Sequence, residues 1–587
     1  MRPGASQCGV NAGIWGAKER RIRLEGAMNC MARRVSSVIL GYQIMLAAHA
    51  ALAGVFIVSA RPVAAQTLPG AASSTQGIYL PYPAGVVPAD LAAEADRVRR
   101  EIAGIEEEAL AEWHALGPLT RSGNPPVLAG SGMRAVQVLG KLENFDEQLS
   151  ANKNEACAFC HMPYTGFTGP IPSLNRTTVA YPGSFHYRFG KRKPQSYTYS
   201  PHYPVLQYNT TQANFYGGNF FDLRATGYKL MSPDSEQAQG PVVDTQEMGF
   251  PDFACVVFRL SKAVYRPLFE GIWGAQSFAI HWPSNTERIC STAGGAAMLG
   301  GKPTPVSLTP VERGIASATF DAYAHSMTAY EASPDVSAFS SKFDAFLAGN
   351  ATLTVDEKAG YDLFRGKANC NSCHLDGRGV TRTPDLSDNS NATDVGPFFT
   401  DTTSANLGLP KNPAVPFYYE TTRDALGFTP NPVGFDFTDL GVGRFLRGGS
   451  GTNPNANWRQ YADKFDGFMQ VATLRNVDMR PCPAFPKSYM HNGYLKSLKE
   501  VVHFYNTRDV FAKPVTAGNC PAGTVEKVSC WPMPEVPGTK DMTFGNLGLA
   551  DAEEDQIVAF LKTLTDGFTT PYPDLNTYTG DVCQQSK

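Results

Sequence analysis

The chain has 587 residues, enough for two to four domains that each bury a core of their own. Its hydrophobic content of 43% excludes a disordered or collagen-like chain. A formal charge of −3, from 51 basic and 54 acidic residues, gives no support for a nucleic-acid-binding protein, which should carry a clustered basic surface.

Residues 1–65 have the order of a secretory signal: basic residues, an apolar run over 38–60, and small residues before Gln66. The run is long enough for an uncleaved membrane anchor, but Gln43 and His49 interrupt it, so we favour cleavage and a periplasmic location. The segment carries eight basic and two acidic residues, so the remainder has a formal charge of −9. Ten cysteines remain in an oxidising, disulfide-permissive environment.

Apolar periodicity and capping residues predict five helices in the remainder. They cover residues 91–116, 311–332, 354–366, 494–505 and 551–564. Two stretches rich in Gly, Pro and polar residues, one ending near residue 250 and one over 376–460, predict long loops. Pro and Ser interrupt the pattern over 333–346 and predict a boundary between an N-terminal domain, 66–335, and a C-terminal domain, 336–587.

Two pentapeptides carry the chemistry, Cys157-Ala-Phe-Cys160-His161 and Cys370-Asn-Ser-Cys373-His374. Cys-x-x-Cys-His is the attachment signature of c-type haem, in which the thiols bind the vinyl groups and the histidine is the proximal iron ligand. One copy alone could form a disulfide or half a zinc site, but two copies, with no further Cys or His pair at zinc spacing, favour haem. The sequence predicts two covalent c-type haems in a mainly α fold of two cytochrome c-like domains with long loops and little β structure.

The other cysteines of the exported part are even in number, which predicts disulfides. They are Cys255, Cys290, Cys482, Cys520, Cys530 and Cys583. Cys520 and Cys530 enclose a short loop and could pair locally, whereas the spacing leaves the remaining connectivity open.

Together these residues resemble the bacterial di-haem cytochrome c peroxidases, and within them the MauG-like branch. The resemblance covers about residues 130–570 and includes, besides the haem motifs, residues 340–344, 397–401, 406–408, 473–476 and 489–493. It implies an enzyme that reduces hydrogen peroxide at the first haem, with electrons relayed through the second from a small redox protein such as a cytochrome c. Two alternatives stay open: a MauG-like oxidase that modifies side chains of a partner protein, and a non-catalytic electron-transfer cytochrome or redox sensor.

The resemblance places three catalytic residues over the first haem, since Gln237, Pro241 and Glu247 reproduce the family's spacing. A carboxylate suits peroxide cleavage because it can carry a proton from one peroxide oxygen to the other. The alternative for Glu247 taken alone is a solvated surface carboxylate.

The far-side ligand of the second haem is a Tyr in the MauG-like branch, fourteen residues after the His of the Tyr-x-His-x-Gly signature. That count from His491 reaches Tyr505, which we predict as the ligand, with His503 and Met490 as lesser alternatives. Leu498 and Val501 lie on the same helix face, so a core residue is the competing interpretation for Tyr505.

The chain departs from the family at three places. Phe221 stands at the position where the family has a Trp that relays charge between the haems. Because Phe is hard to oxidise, we expect charge to pass by direct tunnelling or through another aromatic residue such as Tyr216. His186 lies in a loop like the one that carries a removable distal ligand of the first haem, and an open site is the alternative. The family's inter-domain calcium site is an open expectation, because Pro486 and Ser488 replace its usual Thr and Pro.

Overall fold

The structure is a computed structural model. It describes residues 91–119, 121–122, 127–128, 132–292, 305–377, 397–424, 427–511, 520–570 and Cys583. The predicted secretory segment, residues 1–65, lies outside these ranges. No helix within them combines the length and the hydropathy that a membrane span requires.

Helices make up most of the regular secondary structure in the described ranges. In the first half they are α1 (Leu91–Ala115), α2 (Gly132–Phe145), α3 (Pro172–Arg176), α4 (Pro233–Val243), α5 (Ala254–Leu260), α6 (Arg266–Trp273), α7 (Thr286–Cys290) and α8 (Pro310–Glu331). In the second half they are α9 (Lys342–Leu347), α10 (Val355–Arg365), α11 (Gly441–Leu446), α12 (Leu498–Thr507) and α13 (Asp551–Lys562).

The β structure consists of three antiparallel pairs of very short strands. They are β1 (Arg121–Ser122) with β2 (Val127–Leu128), β3 (Gln207–Asn209) with β4 (Asn214–Tyr216), and β5 (Ser404–Ala405) with β6 (Met469–Gln470). The prediction of a mainly α fold with long loops and little β structure is confirmed.

All five predicted helices are present as α1, α8, α10, α12 and α13. Their ends follow the capping groups, and in α10 the hydroxyl of Thr354 accepts a hydrogen bond from the backbone N–H of Glu357. Helix α12 begins at Leu498, four residues later than predicted, because the side chain of Ser497 caps it by accepting from the N–H of Glu500 (3.1 Å).

Three helices lie where the sequence predicted loops, namely α3, α4 and α11, and α4 is the longest of them. Helix α4 occupies part of the Gly- and Pro-rich stretch before residue 250, with Ser232 as its N-cap and Pro233 at its first position. Its internal Gly240 and Pro241 are helix-disfavouring residues, and they conceal the helix from an analysis based on local pattern.

Each half contains a helix pair in close contact, in which the helix before the haem motif packs against the helix that ends the half. Helix α2 packs on α8 at Gly140, where a Cβ would overlap the carbonyl oxygen of Ser326. Helix α10 packs on α13 at Gly360, where a Cβ would overlap the carbonyl oxygen of Gln556. Glycine permits both backbones to approach this closely. The two pairs lie on either side of residues 333–346, and the boundary at 335–336 stays a prediction.

The buried guanidinium of Arg475 helps to join the two halves. Its Nη1 donates to Asp344 (3.1 Å) and to the carbonyl of Pro397 (3.0 Å), and its Cζ lies 4.5 Å from the ring centre of Tyr199. The hydroxyl of Tyr199 donates to Asp566 (2.6 Å), so a first-half side chain is tied to two segments of the second half.

All six described cysteines outside the haem motifs form disulfides, as predicted. The pairs are Cys255–Cys290, Cys482–Cys583 and the local pair Cys520–Cys530. The four motif cysteines are free thiols.

Candidate active site

The two haem motifs adopt the same local structure. A 3₁₀ turn covers Cys157–Phe159 in the first motif and Cys370–Ser372 in the second. In both motifs the backbone N–H of the histidine donates to the carbonyl oxygen of the first cysteine, at 3.1 Å and 2.9 Å. The turn therefore brings both thiols and the histidine of each motif to one side of the chain.

Each motif histidine is held by a backbone carbonyl. Nδ1 of His161 lies 2.9 Å from the carbonyl oxygen of Phe167, and Nδ1 of His374 lies 2.9 Å from that of Phe399. A carbonyl only accepts, so Nδ1 carries the proton and Nε2 is left as the metal-binding nitrogen. Both phenylalanines have left-handed backbones, with φ of 56° and 52°, a conformation that is uncommon outside glycine and here aims the two carbonyls.

The first motif opens into a cavity of about 360 Å³. Its wall brings together the motif and the three predicted catalytic residues: Cys157, Cys160, His161, Gln237, Pro241 and Glu247. Gln237 and Pro241 lie on α4, four residues apart. Pro241 has no N–H, so the carbonyl of Gln237 loses its helical hydrogen-bond donor at the cavity wall.

Glu247 follows α4 in a turn that other segments hold in place. Its N–H donates to the carbonyl of Asp244 (3.2 Å), and its carbonyl accepts from the N–H of Ser184 (2.8 Å). Burial raises the pKa of the Glu247 carboxyl to about 7, with a further contribution from Asp244 that Arg224 and Lys191 oppose. Glu247 can therefore both accept and donate a proton near neutral pH, as a general acid–base must.

Two further buried carboxyls line the first cavity, Glu155 and Glu331, and the sequence analysis did not single them out. Burial raises the pKa of both, so they hold protons more readily than a surface carboxylate does. The sequence feature that could have identified Glu155 is its position two residues before Cys157 of the first motif.

The second motif opens into a cavity of about 300 Å³. Tyr505 lines it together with His374, and no other described side chain or backbone group hydrogen-bonds to the Tyr505 hydroxyl. Leu498 and Val501 line the same cavity, so the helix face that the sequence analysis identified points at this space. Met490 also lines it.

His503 is directed away from the second cavity. Its Nδ1 lies 3.0 Å from Oε1 of Glu554, and it is not part of the cavity wall. Of the three candidates for the far-side ligand, Tyr505 and Met490 share the cavity with His374.

Four residues line both cavities and so form the wall between them: Lys193, Gln195, Ser196 and Phe221. The ring centre of Phe221 lies 6.2 Å from that of His491, which lines the second cavity. Tyr216, the other aromatic residue considered for a relay, is buried on β4 and lines neither cavity.

His186 lies outside the wall of the first cavity. Its Nε2 is within hydrogen-bond distance of Nδ2 of Asn154 (3.0 Å) and Nη2 of Arg99 (3.2 Å). Both partners are donors, so Nε2 acts as an acceptor here. Ligation of the first haem by His186 stays a prediction.

The segment around the expected calcium site lies where the two halves meet. The carbonyl of Pro486 accepts from Nδ2 of Asn175 (3.0 Å), and Ser488 lines the second cavity. Among the residues that the structure describes, no group of three or more His, Cys, Asp or Glu side chains could hold a metal ion. Calcium, whose expected ligands are carbonyls, stays a prediction.

Comparison with protein families identifies residues 134–352 as a di-haem cytochrome c peroxidase domain. This range contains the first motif and the Gln237–Glu247 segment. The chain is 28% identical over 436 residues to the methylamine utilization protein MauG of Paracoccus denitrificans, covering 74% of this chain and 89% of that protein. It is 26% identical over 465 residues to the cytochrome-c peroxidase IdrP1 of Denitromonas iodatirespirans, covering 78% and 87%.

Among solved structures, the diheme peroxidase BthA of Burkholderia thailandensis has a TM-score of 0.51 to this chain at 22% identity. The match covers 78% of this chain and 94% of that one, and it supports the fold. A family of di-haem proteins implies two haems, and the free thiols, the histidines with available Nε2 atoms and the adjoining cavities fit such groups at both motifs.

Proposed function

We propose that the chain is a member of the di-haem cytochrome c peroxidase family, and that it is an exported peroxidase that reduces hydrogen peroxide in the first cavity with electrons passed through the second site. Each turnover takes one hydrogen peroxide, two electrons and two protons, and releases two water molecules. Covalent haems at Cys157/Cys160 and Cys370/Cys373 would supply the redox-active iron that binds peroxide and exchanges electrons.

One observation carries this proposal: Glu247 lines the same cavity as His161, with a pKa of about 7. As a carboxylate it accepts a proton from the peroxide oxygen nearer to His161, and as a carboxylic acid it returns that proton to the departing oxygen. A carrier that only transfers electrons has no use for such a group. Gln237 and Pro241 line the same cavity and shape the space in which peroxide lies beside Glu247.

Electrons would enter at the second site and cross the shared wall. Phe221 separates the two cavities and fills the space as a packed apolar contact rather than as an oxidisable relay. The exported chain has a formal charge of −9, which favours a basic small redox protein such as a cytochrome c as the donor. That attraction should weaken with added salt.

Export is supported by the leader sequence and by the cysteine pairing. Three disulfides use every described cysteine outside the haem motifs, as expected for a protein that matures in an oxidising compartment such as the periplasm.

The test is peroxide consumption by the purified diferric protein, with and without reduced cytochrome c. We expect donor-dependent turnover in a protein that carries two c-type haems by the pyridine haemochrome assay. Absence of turnover with any reduced donor, or fewer than two haems per chain, would contradict the proposal.

A second candidate is a MauG-like oxidase that modifies side chains of a partner protein. Tyr505 in the second cavity favours it, because a phenolate ligand stabilises oxidised iron more than a thioether does. The test is to add peroxide to the protein without an electron donor and to search candidate partner proteins for peroxide-dependent changes in mass. Rapid turnover with cytochrome c and unmodified partners would favour the peroxidase.

A further inference from the structure

A basic segment runs along the wall between the two cavities. Lys191, Arg192 and Lys193 are consecutive, and all three line the first cavity. Arg192 has its counter-charges, since its Nε donates to Asp439 (2.7 Å) and its Nη1 lies 3.1 Å from Asp222. Lys193 differs, because no carboxylate of the described residues lies within ion-pair distance of its ammonium group.

Lys193 is positioned between the two sites. It lines both cavities, and its backbone N–H donates to the carbonyl of His491 (3.0 Å), which lines the second. Its Nζ donates to the carbonyl of Pro194 (3.0 Å).

A second lysine, Lys487, is buried nearby. Lys487 lines the second cavity, and its Nζ donates to the carbonyl of Thr165 (2.9 Å) in the first half and to that of Met479 (2.8 Å) in the second. Burial lowers the pKa of Lys487 well below its usual value, and the charge of Lys193 lowers it further, so the two side chains lie close enough to interact.

Lys193 and Lys487 both line the second cavity, and two ammonium groups in one wall favour an anion between them. An ammonium group has three N–H bonds, of which Lys487 uses two and Lys193 uses one on backbone carbonyls. The remaining N–H bonds are available to the cavities, and a buried charge without a partner is costly. Every haem carries two propionate carboxylates, which are the anions that would fill these cavities.

We propose that Lys193 and Lys487 form a carboxylate-binding site in the wall between the cavities, that this site takes propionate groups of the bound haems, and that Lys193 serves both haems. This rests on the two c-type haems of the proposed function. A cation shared by both haems stabilises the reduced state of each, so it raises both reduction potentials together.

The experiment is a spectroelectrochemical titration of Lys193→Gln in the holoprotein, which leaves the two carbonyl contacts of Lys487 intact. We expect both haems to become harder to reduce, by about tenfold in each one-electron equilibrium constant, or ~59 mV. Resonance Raman bands of the propionate groups should shift at both haems. Lys193→Arg, which keeps the charge, should restore both potentials toward those of the wild type.

Two matched controls separate this site from a general effect of charge. Lys191 is two residues away and lines only the first cavity, so Lys191→Gln should leave the second haem's potential unchanged. Lys262 is exposed and lines neither cavity, so Lys262→Gln should change neither potential.

An unchanged potential of either haem in Lys193→Gln would overturn the inference, and so would an equal shift of the second haem in Lys191→Gln. If Lys193→Gln binds fewer than two haems, Lys193→Met provides the same charge removal for the titration. A wild-type protein with fewer than two haems contradicts the proposed function itself, whereas a two-haem protein with unchanged Lys193→Gln potentials contradicts only this inference.

Discussion

The two motif-bearing cavities share a frame but differ in the other residues that line them. Both have a 3₁₀ turn through the cysteines, a histidine held by a phenylalanine carbonyl, and a preceding helix packed closely at a glycine. The first cavity contains the carboxyl of Glu247, for which we propose an acid–base role, whereas the second contains the phenol of Tyr505. We therefore expect the shared frame to hold a cofactor, and the other residues that line each cavity to decide what that cofactor can do.

Replacing the carboxyl of Glu247, which distinguishes the first cavity from the second, should have the largest effect on peroxide turnover. Glu247→Gln keeps the size and polarity of the side chain but cannot transfer a proton, so peroxide reduction should fall by about 100-fold or more. Steady-state turnover with reduced cytochrome c measures it. Glu143→Gln is a matched control, because Glu143 is fully buried without a hydrogen-bond partner and lines neither cavity. Equal losses in the two variants would remove Glu247 from the mechanism.

The shared frame can be tested at its two glycines. Gly140→Ala and Gly360→Ala each place a methyl group against a backbone carbonyl of the partner helix, so each should lower the free energy of unfolding by about 1–3 kcal/mol. Gly314→Ala, on α8 in open space, should instead stabilise by ~0.5–1 kcal/mol. Chemical denaturation of the holoprotein measures all three. An unchanged free energy of unfolding in only one of the variants, Gly140→Ala or Gly360→Ala, would mean that the two helix pairs do not stabilise their halves in the same way.

The pH dependence of turnover tests whether Glu247, which only the first cavity contains, takes part in proton transfer. The carboxylate form of Glu247 accepts the proton, and its raised pKa is about 7, so turnover should fall as pH decreases through 7, by up to about tenfold per unit. This pH dependence should be absent in the residual activity of Glu247→Gln. The initial rate across pH 5–9, with the donor in excess, is the measurement, and an identical profile in both proteins would assign the pH dependence to another group.

The smallest effect on peroxide cleavage is expected from the second cavity. Tyr505→Met should change the absorption spectrum of the second haem and raise its reduction potential, because a thioether favours ferrous iron more than a phenolate does. Tyr505→Phe removes only the hydroxyl, so it distinguishes a role of Tyr505 as an iron ligand from a role in packing. The first reaction with peroxide in stopped flow should stay within about twofold of wild type in both variants. An unchanged spectrum of the second haem in both would exclude Tyr505 as a ligand.

Much of the candidate site could be predicted from the sequence because its signals are local. The haem motif is a pattern of five consecutive residues, so it is visible in the sequence. Gln237 and Pro241 were recognised in the same way, from a spacing of four residues that resembles the family's. Helices α8 and α10 likewise follow from periodicity and from caps at Thr309 and Thr354. Helix α4 is an exception, since tertiary packing overrides the low helix propensity of Gly240 and Pro241.

The sequence by itself determined that two haem-binding motifs exist, that six cysteines pair, and that the fold is mainly helical. Only the tertiary structure decided which groups surround the motifs. Lys193 and Lys487 are separated by almost 300 positions, and Phe221 meets His491 from the other half of the chain. Such contacts depend on how the halves pack, and no local pattern of residue types encodes them, because a buried lysine and a surface lysine look alike in a sequence.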